Sequence, residues 1–94
     1  MYDKNGIVLK IGDYVKTVER QINSSDTTNI AIISSIEPSS AVILVNNFGM
    51  PMPFTANPLS LLYLDEKDVD KNDRSSLSSV KEMFDIMVQD LRSA

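Results

Sequence analysis

Ile30-Ala31-Ile32-Ile33-Ser34-Ser35-Ile36, then Glu37-Pro38-Ser39-Ser40, then Ala41-Val42-Ile43-Leu44-Val45, is the stretch whose reading decides the fold. Both apolar runs are nearly continuous in β-branched and aliphatic residues, the composition of strands in the middle of a sheet. The four residues between them are short and polar, and Pro38 sets φ for a turn. Two such runs at hairpin distance pair antiparallel.

Working towards the amino terminus, Gln21 to Asn29 is polar and rich in Ser, Thr, Asn and Asp, so it reads as an exposed loop. Tyr14-Val15-Lys16-Thr17-Val18 has strand composition and follows a Gly12-Asp13 turn, whose role is to align the first strand. Ile7, Leu9 and Ile11 alternate with Val8 and Lys10 as a strand or an extended arm. They follow Asp3-Lys4-Asn5-Gly6, a turn signal with Gly6 free to take positive φ.

Towards the carboxyl terminus, residues 46–53 read as an irregular loop carrying Phe48, Gly49, Met50, Pro51, Met52 and Pro53. Two alternating prolines cannot donate to a central ladder. A short strand over Phe54-Thr55, a turn at Asn57-Pro58 and a Leu-rich segment over 59–64 complete five short strands. Tight turns between short strands predict a small closed barrel, because closure removes exposed edges.

Residues 65–76 are polar apart from Val69 and read as an acidic linker. A helix is expected over 77–92; Ser76 or Ser79 can cap it, and Ser79-Val80-Lys81-Glu82 matches the capping-box spacing. Leu77, Val80, Phe84, Met87 and Leu91 recur at three- and four-residue steps, Met83 and Val88 widen the stripe, and Ile86 falls on the far side. The fold class is therefore mainly β: a barrel over 1–64, a linker, and one amphipathic C-terminal helix. A helix this short needs its apolar face covered, either by its own barrel or by another chain.

The composition fits a single soluble domain, with 43% hydrophobic and 23% charged residues in 94. No residue is Cys or His. Disulfides, thiolate metal sites, the commonest general base, and both Ser-His-Asp and Cys-His chemistry are excluded. An enzyme would need an Asp, Glu or Lys mechanism, and the expectation is no enzyme and no cofactor. No leader-like or membrane-spanning apolar segment is present, so the expected location is the cytoplasm, that of a phage-infected host included. The net charge is −4 and is uneven: residues 1–64 carry four cations and five anions, residues 65–94 five cations and eight anions. Such a balance disfavours non-specific binding to nucleic acid.

Gly6, Gly12-Asp13-Tyr14-Val15, the paired runs over 30–36 and 41–45, and Leu59-Ser60-Leu61-Leu62-Tyr63 together resemble KOW-type and other SH3-like small barrels. The likeness covers residues 3–64. It implies a five-stranded SH3-like fold, and size and tail also resemble small accessory proteins of tailed phages. The sequence departs from KOW modules in having no glycine in Asn29-Ile30-Ala31-Ile32 and in lacking a basic barrel.

Three sets of residues are candidates for function. Phe48, Met50 and Met52 sit on a proline-stiffened segment and can form an adaptable apolar contact surface. Leu77, Val80, Phe84, Met87 and Leu91 form the helix stripe, which can dock on the barrel, meet a partner protein, or build a homo-oligomer. Lys10, Tyr14, Lys16 and Arg20 are the alternative, a stacking and phosphate-binding surface for nucleic acid. Asp68-x-Asp70-x-Asn72 has the opening spacing of a calcium loop, but Asp73 stands where glycine is needed and Ser79 where a bidentate glutamate is needed, so no metal is expected. The leading expectation is a non-catalytic protein–protein interaction module, with a nucleic-acid-associated module second.

Overall fold

The computed structural model describes residues 1–17 and 30–93. Five strands are formed: β1 Tyr14–Thr17, β2 Ile30–Ile36, β3 Ala41–Asn47, β4 Met50–Ala56 and β5 Leu61–Leu64. One helix, α1 Lys71–Ser93, follows them. The sheet is wholly antiparallel in the order β4-β3-β2-β1-β5. The deciding hairpin is as expected, with Ile36 opposite Ala41 and Ile32 opposite Leu44. The loop expected over 21–29 lies outside the described residues.

The sheet is not closed. β4 and β5 are its two edges, although residues 57–60, which include a 3-10 turn over Pro58–Ser60, carry the chain directly from one to the other. Curling still wraps one face around a core. Val15, Ala31, Ile33, Ala41, Ile43, Val45 and Leu61 are buried there, with Met52, Phe54 and Tyr63 packed against them from the edges. A bulge between Ile33 and Ser35 inserts one residue into β2, so Ile33 and Ile36, three apart, both serve this face.

Residues 1–11 form an extended arm. Leu9 and Met1 pack on the same core, while Ile7, Val8 and Ile11 stay exposed. Gly12 and Asp13 splice the arm to the sheet: Gly12 N–H donates to the Ile33 carbonyl and Ile33 N–H donates to the Asp13 carbonyl, each at 2.9 Å. Gly12 does so at φ +93°, which a side chain resists.

Residues 46–53 are not an irregular loop. Residues 50–56 form β4, paired with β3 along its whole length from Asn47↔Met50 to Ala41↔Ala56. The prolines are accommodated because β4 is an edge. In a two-residue hairpin the closing pair Asn47↔Met50 is hydrogen-bonded, so Pro51 and Pro53 fall at the alternate, non-bonded positions. Their missing N–H groups are those that would point away from the sheet.

The tail also differs from the linker expected over 65–76 and the helix expected over 77–92. A 3-10 turn occupies Glu66–Asp68, Val69 is buried, and α1 starts at Lys71, with Arg74 N–H donating to the Asp70 carbonyl at 2.9 Å. Asp70 and Asp73 place negative charge at the positive end of the helix dipole, which the capping-box reading overlooked. Asn72 and Asp73 are helical, which removes the calcium-loop geometry.

Leu77 and Val80 are buried against Ile32 and Leu44, with Tyr14, Ile30 and Phe84 around them, so the helix docks on the sheet face opposite the first core. Alternation of side chains along β2 and β3 supplies the two faces from continuous apolar runs. Among the described residues, no helix is long and apolar enough to cross a membrane.

Candidate functional site: exposed apolar groups at the hairpin tip and the helix end

Phe48 and Gly49 are the two central residues of the β3–β4 hairpin, at φ +52° and +86°. Positive φ at both defines a type I′ turn, whose twist matches that of the strands it joins. Asn46 Oδ1 accepts from Gly49 N–H at 2.7 Å, and the Asn46 amide also bonds Ser76 Oγ, tying the hairpin to the first turns of α1. The turn is thus held firmly while its side chains project. Phe48 is 86% exposed and Met50 54%. Met52, two residues along the strand, turns inward and packs on the first core.

Phe48 is the sole non-glycine residue at positive φ among the described residues. That backbone region disfavours a bulky L-residue by about 1–2 kcal/mol, whereas Asn or Gly occupies it readily. An aromatic at this position, fully presented to solvent, gains nothing from packing to offset the strain.

The helix stripe divides along its length. Leu77 and Val80 are spent on the intrachain contact, and Phe84 lies half-buried beside them. Met87 and Leu91 are exposed, Leu91 at 78%, together with Met83 and Ile86. Geometry accounts for the division. Val88 still lies beside Val42 of β3, so up to that point exposure is set by position around the helix and not by reaching past the sheet. At 100° per residue, Ile86, Met83, Met87 and Leu91 occupy one continuous arc running from the solvent side to the docked side. Lys81 and Asp85 pair at 2.7 Å on the opposite flank.

The four residues of the nucleic-acid alternative are not brought together as a set. Tyr14 packs on the second core, Lys16 is exposed two residues along the same strand, and Lys10 is exposed before the Gly12 turn. Arg20 lies outside the described residues. Among the described residues, no group of three or more carboxylates, His or Cys is placed to hold a metal ion.

Residues 3–6, expected to form a turn, do more than that, because Asp3 is a buried hub. Its carboxylate accepts from Asn5 and Ile7 N–H at 2.8 Å through Oδ1, and from Tyr63 N–H at 2.7 Å through Oδ2. Burial raises its pKa, but the N–H groups of Tyr63, Ile7, Asn5 and Gly6 outweigh that and hold the carboxyl below its ordinary value. Lys4 N–H donates to the Leu61 carbonyl at 2.9 Å. The outer edge of β5 is therefore covered by the arm, as that of β4 is blunted by proline.

No protein-family model matches the chain, and no curated protein or solved structure matches it either.

Proposed function

We propose that the chain is a non-catalytic protein–protein interaction module that presents the Phe48–Met50 tip and the distal end of α1 to a protein partner. The observation that carries this reading is Phe48: a large aromatic in a left-handed turn position, strained and solvent-exposed on a well-anchored hairpin. Strain that local packing does not reward points to a role outside the fold. Aromatic and Met side chains are also those most used at protein contacts.

The helix end, through Met83, Ile86, Met87 and Leu91, is the second contact surface. A second copy of this chain is the alternative occupant, and sedimentation analysis of the full chain decides between them. The finer identity, a KOW-like SH3-type barrel acting as a phage accessory or host-interaction factor in the cytoplasm, belongs to the same proposal. It draws support from the strand order and the residue pattern alone.

The test is affinity capture from source-cell extract with the wild-type chain and with Phe48→Asn, which suits the turn better. Proteins retained by the first and lost by the second identify the partner. Equal retention by both variants refutes the role of the tip.

A further inference from the structure

The sulfur of this chain is confined to five thioethers, Met1, Met50, Met52, Met83 and Met87, and no Cys competes with them for a peroxide. A thioether has no proton to lose, so exposure governs how fast it is oxidised. The fold sorts the five into two groups. Met1 and Met52 pack against the first core. Met50, Met83 and Met87 belong to neither core and are 54%, 38% and 47% exposed.

The exposed three are not scattered. Met50 follows the Phe48-Gly49 turn. Met83 and Met87 lie one helical turn apart, on the arc that also carries Ile86 and Leu91. Each of the two proposed contact surfaces therefore holds accessible sulfur, while the sulfurs that support the fold are the shielded ones.

We infer that Met50, Met83 and Met87 form a peroxide-sensitive set through which reversible oxidation withdraws both contact surfaces without unfolding the chain. The thioether sulfur attacks one oxygen of hydrogen peroxide and the O–O bond breaks. Sulfur keeps that oxygen as a sulfoxide and is oxidised; the other oxygen leaves with both hydrogens as water, and the peroxide is reduced. A thiol-dependent reductase reverses the step, releasing the oxygen as water while two thiols join in a disulfide. The sulfoxide accepts hydrogen bonds and donates none. Buried against an apolar partner surface it has no donor to meet, which weakens binding by about tenfold per sulfoxide. The inference rests on the partner-binding reading for what it controls, but its chemistry is read on the chain alone.

The full-length chain, labelled at its methionine methyl carbons, is treated with excess hydrogen peroxide and followed by NMR, with one Met→Leu variant per residue assigning the signals. Sulfoxide signals are expected at Met50, Met83 and Met87 at least about fivefold sooner than at Met52. The chain oxidised at those three keeps its unfolding midpoint and elutes earlier from a hydrophobic-interaction column. Methionine sulfoxide reductases acting on both sulfur epimers restore the original elution. The triple variant Met50→Leu, Met83→Leu, Met87→Leu shows no peroxide-dependent change in elution. In affinity capture, the oxidised wild type loses proteins that the untreated wild type retains. Oxidation of Met52 as fast as the three, a lowered midpoint, unaltered elution, an equal elution shift in the triple variant, or full retention of captured proteins by the oxidised chain would each overturn the inference. Equal capture by untreated wild type and Phe48→Asn counts against the tip as a contact, whereas the methyl and elution readouts bear on the oxidation alone.

Discussion

Replacing Phe48 by Asn removes an aromatic side chain and is expected to make the protein more stable. The side chain is 86% exposed, so little buried area is lost with it. At φ +52° the backbone carries the left-handed cost of an L-residue, about 1–2 kcal/mol, of which Asn recovers a large part through its short polar side chain. The resulting Asn-Gly pair is the dipeptide that type I′ hairpins most favour. The anchoring bonds are untouched, because Asn46 accepts from Gly49 and not from residue 48. A gain of about 1 kcal/mol follows, which for a domain of this size raises Tm by roughly 4–8 °C. Urea and thermal unfolding of the two proteins measure it, and an unchanged m-value is expected because the exposed area hardly changes. Destabilisation by more than about 0.5 kcal/mol would show that Phe48 packs in the native state, and would remove both the strain argument and the functional inference drawn from it.

Asp3→Ala strips three N–H groups of a charged acceptor and is expected to cost about 2–4 kcal/mol, while Asp3→Asn keeps an oxygen for Asn5 and Ile7 and loses mainly the Tyr63 bond, at about half that cost; chemical denaturation ranks them. Because the folded-state pKa of Asp3 is lowered, its contribution is complete above the unfolded value near 3.8 and fades as pH falls through the folded value; the wild type should lose stability there and Asp3→Ala should show no such loss from this group. Leu77→Ala, at a fully docked position, should cost about 2–4 kcal/mol by unfolding, whereas Leu91→Ala should lie within about 0.5 kcal/mol of the wild type. Fluorescence titration with single-stranded oligonucleotides should show no salt-dependent binding, since Tyr14 is used in packing and the charge is net negative.

The paired runs over 30–36 and 41–45, the Gly12-Asp13 turn and the presence of an amphipathic C-terminal helix were legible because each rests on local chemistry: β-branched composition, turn residues and a 3.6-residue period; what the helix docks on was not. Closure was not legible in the same way. Whether two edges meet depends on curvature accumulated over several strands and on a bulge at Ile33, which no local pattern announces. The prolines of β4 misled for a related reason. Proline excludes a central strand, but it is compatible with an edge when its ring nitrogen falls at a non-bonded position, and that phase is set by the Phe48-Gly49 turn. The division of the helix stripe into buried and exposed residues was invisible because the arc of the helix that meets the sheet is set by tertiary packing on Ile32 and Leu44, which no local pattern encodes.

An open sheet this small should offer two ladders to any passing strand, and each edge here is closed by a different device. β4 alternates Pro51 and Pro53 at the positions whose N–H groups would point outward, so the missing donors cost the hairpin nothing and deny a partner strand its bonds. β5 cannot do the same, because its outward groups at Leu61 and Tyr63 are intact and are engaged instead by Lys4 and Asp3. The two devices make opposite demands on experiment. Pro51→Val with Pro53→Thr restores two outward donors on a fully folded protein, and concentration-dependent association without loss of secondary structure is expected by light scattering. Asp3→Ala frees the β5 edge only as the arm loosens, so any association there should track the loss of stability. If the proline double variant stays monomeric, proline is tolerated at that edge without guarding it, and the partner surfaces proposed above owe nothing to edge protection.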